Sequence, residues 1–279
     1  MAYHSTILRQ IIDLFPRHEF DALAKVHHRG QKFRSFNRWT QFMAMFIGQL
    51  SGRKSLRDLV LSMNAQQSKL YHLGMKPCAR ATLARVNEQQ PASLYQALFY
   101  KLLQRTRQAA PKHRFKFKGK LYLLDATVVD LCLSTFQWAK FRSTKGAVKL
   151  HVGLDADGYL PEFIDITNGK SHEINWARTL RLSRGSMAVF DLGFTDYDWY
   201  EHLTKQGVFF VTRLKRNACV TLVRKRPGRR GVGILSDQTV LLGDIPDPLR
   251  MVRYQDPETG REYRFVTNAD HLDAKTIAD

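Results

Sequence analysis

The sequence predicts an α/β protein in two parts, a helical bundle followed by a mixed sheet. Three observations carry this. Apolar residues recur at steps of three and four through the first part of the chain, and after Gly119 they fall into the runs and alternations of strands. Residues 120–131, 147–155 and 159–167 then read as three consecutive strands, the last two joined by the hairpin-turn sequence Ala156-Asp157-Gly158. Two more apolar strands follow, each preceded by a helical stretch, the order of an α/β sheet with an antiparallel meander on one side. At 279 residues the chain has room for one large domain or two ordinary ones.

In the first part, residues 1–110, the clearest helix covers residues 37–50. There Trp39, Phe42, Met43, Phe46, Ile47 and Leu50 form one apolar stripe, and Gly52 closes it. Ser55-Leu56-Arg57-Asp58 reads as a capping box for the next helix, with Leu56, Leu59, Val60 and Met63 inward. Residues 81–90 form a third helix stopped by Pro91, and residues 92–108 a fourth that ends before Pro111. The helix from Ser55, a polar connection through Gly74 and Pro77, and the helix carrying Arg80 and Arg85 have the order of a DNA-reading helix-turn-helix. Any small helical bundle has the same order, so plain packing stands beside that reading.

In the second part, residues 111–279, the strand at 120–131 is apolar on both faces, as expected near the centre of a sheet. In the next strand Leu150, Val152 and Leu154 alternate inward against Lys149, His151 and Asp155. A short helix at 173–182 leads to a strand at 187–191 that Gly193 breaks. Thr195-Asp196-Tyr197-Asp198 caps a helix that Gly207 ends, and residues 208–214 make a fifth strand. Residues 218–260 lose the helical signal: short β-type pieces at 219–223, 240–242 and 249–254, punctuated by glycine and proline, read as a β-rich insertion. A last strand at 261–267 precedes the beginning of a helix at 272–279.

The formal charge of +19 and the isoelectric point near 10.1 exceed what solubility requires. They imply a polyanionic partner, nucleic acid first and an anionic membrane surface second. The most apolar run, Phe42 to Leu50, is too short to span a bilayer, and the N-terminus lacks the order of a secretion signal. Three widely spaced cysteines argue for free thiols in a cytoplasmic protein and against a zinc knuckle or disulfide framework. No acid occurs between Glu88 and Asp125 or between Glu201 and Asp237, the second interval holding Arg213, Lys215 and Arg216 among other cations. Such one-sign runs suit phosphate contacts, with a solvated surface as the alternative.

Two carboxylates sit where an apolar strand gives no local reason for them: Asp125 in Leu121-Tyr122-Leu123-Leu124-Asp125-Ala126-Thr127, and Asp191 ending Met187-Ala188-Val189-Phe190-Asp191. An ionised carboxylate in a buried strand is costly unless it is paired or binds a metal. On adjacent strands the two would suit Mg²⁺, which takes one or two carboxylates, waters and phosphate oxygens. A pair of such ions can clamp both oxygens of an in-line phosphoryl displacement. Equally, each Asp pairs with a nearby Lys or Arg; on these two residues alone both readings stand.

Further motifs join them in order: Lys145-Gly146-Ala147-Val148-Lys149-Leu150-His151, then Asn168-Gly169 with Ser171-His172-Glu173, then Asp191-Leu192-Gly193-Phe194-Thr195-Asp196. Together with Phe36-Asn37-Arg38-Trp39 and Ala81-Thr82-Leu83 upstream, the chain resembles a bacterial insertion-sequence transposase of the DDE class. The resemblance covers nearly the whole chain and implies a ribonuclease-H-like core with an N-terminal helical domain and an inserted β domain. It implies that Asp125 and Asp191 are the first two acids of a catalytic triad, binding Mg²⁺ (or Mn²⁺) and directing water and then a DNA 3′-hydroxyl against phosphodiester bonds. Thr127 would support the first acid. His172 and Glu173 match a position near the site, with helix capping as the alternative. Lys145, Lys149 and His151 would approach DNA beside the site, or be ordinary outward residues of an alternating strand. The partners implied are transposon-end and target DNA, with a homodimer on the DNA.

The family's third acid is a Glu within Tyr-x2-Arg-x3-Glu-x6-Lys on a helix after the insertion, and that signature is absent from these residues. Glu258 and Glu262 flank Gly260 in a turn, and Asp270, Asp273 and Asp279 lack the aromatic and basic partners. The chain therefore reads as a C-terminally truncated transposase. The alternatives are an inactive fragment that binds transposon ends and another ribonuclease-H-like nuclease.

Overall fold

The change of periodicity at Gly119 is a change of architecture. The computed structural model describes residues 7–31, 33–34, 36–53, 55–114, 119–131, 146–227 and 231–278. The chain divides into two compact units, Met1–Thr106 and Arg107–Asp279.

The first unit is helical: α1 (Ile7–Asp13), α2 (Arg17–Val26), α3 (Arg38–Leu50), α4 (Leu56–Asn64), α5 (Gln67–Leu70), α6 (Arg80–Gln89) and most of α7 (Ser93–Ala109). Asn37 caps α3 by accepting from Thr40 N at 2.7 Å, and Ser55 caps α4 by accepting from Asp58 N at 3.1 Å. Burial extends around more of α3 than an apolar stripe, because Arg38 and Gln41 are buried along with Trp39, Phe42 and Met43. Partners from α6 and just beyond it meet part of this burial, Gln41 donating to Asn87 at 2.7 Å and Arg38 to Gln90 at 2.5 Å, while Arg38 Nε and Gln41 Oε1 have no partner among the described residues. Between α4 and α6 lie α5, a 3₁₀ turn at Tyr71–Leu73 and an extended stretch. That connection is not the tight turn of a helix-turn-helix.

In the second unit, among the described residues, nine strands form one sheet in the order β3-β2-β1-β4-β5-β9-β8-β7-β6. They are β1 (Leu121–Leu131), β2 (Gly146–Asp155), β3 (Leu160–Asn168), β4 (Met187–Phe190), β5 (Phe209–Arg213), β6 (Val220–Lys225), β7 (Ile234–Leu242), β8 (Leu249–Gln255) and β9 (Glu262–Thr267). β1, β4 and β5 are parallel neighbours; the remaining pairs are antiparallel. Three helices join them: α8 (Glu173–Ala177), α9 (Tyr197–Lys205) and α10 (Ala274–Ala278). Asp196 caps α9, accepting from Trp199 N at 2.8 Å. One face packs Tyr122, Leu124, Phe190 and Phe210 against Trp176, Trp199 and Tyr200; the other packs Leu121, Met187 and Val211 with Ile277.

The β-rich stretch between β5 and β9 joins the main sheet. β6, β7 and β8 continue the main sheet, and β9 closes the join by pairing with both β5 and β8. β7 also begins six residues before its apolar end suggests, since Ser236, Asp237 and Gln238 carry no strand pattern. Asp237 is held instead by Arg250 of β8, Nε to Oδ1 at 2.9 Å and Nη2 to Oδ2 at 2.7 Å. Arg250 is only 4 % exposed and donates as well to the carbonyls of Ala269 and Leu272, tying the meander to the segment that leads into α10. Removing one partner of such a pair leaves a buried charge. Arg250→Leu is therefore expected to lower unfolding stability by about 3–5 kcal/mol, with much of the loss recovered by Arg250→Leu with Asp237→Leu. Urea unfolding of both variants checks this, and a loss under about 1 kcal/mol would mean that the pair is effectively solvated.

Candidate active site

The register of three parallel strands sets the site. Leu124 of β1 lies opposite Phe190 of β4, and Phe190 opposite Thr212 of β5. The next residue along each is Asp125, Asp191 and Arg213, so the three fall in one row across the sheet, at the carboxyl ends of β4 and β5 and partway along β1, which runs on beside β2. β1 turns back to β2 on one side while β4 and β5 extend the other. Such a switch point at the carboxyl ends of strands is where open α/β sheets bind ligands.

Asp125 and Asp191 are both exposed, not buried in their strands. The desolvation argument from the sequence therefore lapses, and their juxtaposition is what remains to be explained. Asp125 Oδ1 accepts from Ala126 N at 2.8 Å. Asp191 Oδ1 accepts from Gly193 N at 2.9 Å and so caps the 3₁₀ turn Leu192–Phe194. The second oxygen of each has no partner among the described residues. Thr127, two residues along β1 and hence on the face of Asp125, is exposed.

The other motif residues reach this end through α8. Glu173 opens that helix, and its Oε1 accepts from Lys149 Nζ at 3.1 Å. A Cβ on Gly193 would overlap Glu173 Oε2 and stand 3.1 Å from Asp191 Oδ1, so only glycine lets the two carboxylates approach here. His172 holds the N-cap position of α8, exposed, and its ring makes no capping hydrogen bond. Lys145 lies outside the described residues.

Comparison with known proteins agrees with this arrangement. Residues 116–279 match the family described as "Transposase DDE domain", and residues 3–76 match a "Domain of unknown function (DUF4372)". The chain belongs to the DDE transposase family. It is 29 % identical over 205 residues to a Sinorhizobium fredii protein named "Putative transposase y4zB", covering 70 % of this chain and 56 % of that one. It is 27 % identical over 176 residues to a Geobacillus stearothermophilus protein named "Probable transposase for insertion sequence element IS5377", covering 60 % of this chain and 46 % of that one. The chain thus spans about half the length of these curated relatives.

The chemistry of DDE transposases depends on divalent metal. Among the described residues no three His, Cys, Asp or Glu side chains stand together as a ready metal cluster. The donor type nevertheless fits: two adjacent hard-oxygen ligands, each with one oxygen fixed by a backbone N–H and the other outward, suit a cation that keeps waters and takes phosphate oxygens.

The structure corrects three expectations about the basic residues of this chain. The alternation along β2 has the opposite phase: His151 and Asp155 are buried, while Leu150, Val152 and Leu154 are only half-buried. The face carrying Lys149 and His151 is the one α8 covers, so His151 stacks on Trp176 with centroids 5.1 Å apart and cannot meet DNA. Lys149 is bound to Glu173 and not free for phosphate. Several cations of the acid-free stretches are already paired. Lys101 and Arg105 share Glu19, Lys112 takes Asp157, Lys120 takes Glu162, and Arg226 takes Asp270. Arg213, Lys215 and Arg216 are exposed and have no carboxylate partner among the described residues.

His151 Nε2 lies 2.8 Å from Thr167 Oγ1, while its buried Nδ1 has no partner. Burial, helped by the charge of Lys149, pulls its pKa below the ordinary imidazole value against the opposing pull of Asp165 and Glu173. A His with a lowered folded-state pKa binds its proton more readily when unfolded, so stability is full above the unfolded value and is lost as pH falls through about 6.5. His151→Gln should therefore show a smaller drop in urea midpoint between pH 7.5 and 5.5 than the unchanged chain. Equal drops would exclude His151 as the titrating group.

Proposed function

We propose that this chain carries the catalytic core of an insertion-sequence transposase, which cuts DNA phosphodiester bonds at the element's ends and joins the freed strand to target DNA. One observation supports the reading: the register of parallel β1, β4 and β5 sets Asp125 and Asp191 in neighbouring positions at the sheet's switch point, with Arg213 next in the row. The roles of these residues follow from their places. Asp125 and Asp191 would hold Mg²⁺, or Mn²⁺ in its stead, with Thr127 beside the first acid; the bound ion supplies charge stabilisation to attacking and leaving oxygens. Arg213, Lys215 and Arg216 bind the phosphates that flank the bond being cut and orient the strand. Gly193 N holds Asp191 in its rotamer, so its free oxygen stays turned outward. Two element ends brought together call for a homodimer on the DNA, working where the DNA is, in the cytoplasm.

A second reading has specific support, since no ready three-carboxylate cluster exists among the described residues. In it the chain occupies element ends without cutting them.

The test uses DNA carrying an element end, with Mg²⁺ or Mn²⁺. Asp191→Asn is expected to keep DNA affinity and lower cleavage by about a hundredfold or more. Cleavage that is unaffected by Asp191→Asn, or that needs no divalent ion, would sink the catalytic reading, and binding without cleavage would select the second one. Separately, replacing Arg213, Lys215 and Arg216 together by Ala should make the slope of log K against log[salt] shallower by about 2–3. An unchanged slope would remove these three from the interface.

A further inference from the structure

Beyond the Asp125–Asp191 pair, one more carboxylate is delivered to the same strand end. Glu173 comes from the opposite face of the sheet, and its helix, only five residues long, is anchored by Trp176 stacking on the buried His151. Its contact with Lys149 is largely withdrawn from water, the two side chains being 12 % and 20 % exposed. Lys149 serves Oε1 alone. Oε2 has no donor among the described residues and is turned toward Gly193, where the absence of a side chain brings it close to Asp191.

Two carboxylates brought together repel unless a cation lies between them. Lys149 offsets part of that repulsion, and it does so through Oε1, the oxygen other than the one at Gly193. We propose that Glu173 is a further carboxylate of the Asp125–Asp191 site, shared between Lys149 and the divalent ion, with Lys149 as the counter-charge that occupies it until the ion binds. The proposal rests on the reading that Asp125 and Asp191 bind the ion. It also gives Gly193 and the His151–Trp176 stack a common purpose, since both fix where the Glu173 carboxylate can stand. As placed, Glu173 faces Lys149; joining the ion takes a change of its terminal torsions, which are soft in a Glu side chain.

The sign of the effect at Lys149 separates this role from a structural one. A lysine that competes with the ion for Glu173 should, when removed, let the ion bind more tightly. A mere strut should do the reverse.

Mn²⁺ binding to the full chain without DNA, followed by the loss of the free-ion electron paramagnetic resonance signal, tests this. Asp125→Asn and Asp191→Asn are expected to lose binding. Glu173→Gln should weaken it about tenfold, the effect of removing a supporting group around a metal. Lys149→Met should tighten binding several-fold, and should have no effect once Glu173→Gln is also present. Unchanged binding in Glu173→Gln, alongside lost binding in Asp191→Asn, overturns the role of Glu173 alone. Unchanged binding in Asp191→Asn overturns the two-carboxylate reading beneath it. Weaker binding in Lys149→Met, with or without Glu173, makes the lysine a strut and overturns the sharing. If circular dichroism shows Glu173→Gln unfolded, Gly193→Ala displaces Oε2 and keeps the charge. The same tenfold loss is then expected, and unchanged binding overturns the proposal.

Discussion

The parallel pairing of β1 with β4 is the constraint on which the site depends. Leu124 opposite Phe190 places Asp125 beside Asp191, and a slip of one residue would send one carboxylate to the other face of the sheet. The register is secured by what lies on each side of it. Tyr122, Leu124 and Phe190 face a core built with Trp176, Trp199 and Tyr200, while Leu121 and Met187 face the second core, so a slipped strand would expose large side chains on both faces at once. β5 extends the same register to Arg213, and the site's charges inherit their order from the packing beneath them.

What the sequence reveals of this arrangement is what is local. The apolar runs that flank Asp125 and Asp191, the cap at Ser55 and the hairpin at Asp157-Gly158 each declare themselves within a few residues, and each is found in place; the cap read in Thr195–Asp198 falls one residue later, on Asp196. The β2 strand shows the limit. Alternation says that Lys149, His151 and Asp155 share a face, and not which face is covered; Trp176, arriving from α8, decides that. β7 shows another limit, since Ser236 to Gln238 become a strand through Arg250, a partner with no local trace in their own stretch.

Charge follows the same rule. The chain carries 44 Lys and Arg against 25 Asp and Glu, an excess that no internal pairing can remove. Where the excess is displayed is nevertheless a property of the fold. Lys112 and Lys120 lie in an acid-free stretch, yet Asp157 and Glu162 from the β2–β3 hairpin reach them. Such exposed pairs contribute little to stability. Their consequence is spatial: Arg213, next in the row after Asp125 and Asp191, and the exposed Lys215 and Arg216 are cations with no acid partner among the described residues.

The inverted phase of β2 links these points to the candidate site. Had Lys149 faced solvent, it would have been one more surface cation, and Glu173 would have had no counter-charge at the end of β4. Turned toward α8, the same residue faces the first carboxylate of that helix, and His151 two positions on gives the helix a ring to stack against. Both consequences come from a single choice of face. That choice costs an unpartnered imidazole nitrogen in the interior, a penalty on the order of 1–3 kcal/mol. A buried group left unsatisfied beside the helix that carries Glu173 is the kind of local cost that persists where position matters more than stability.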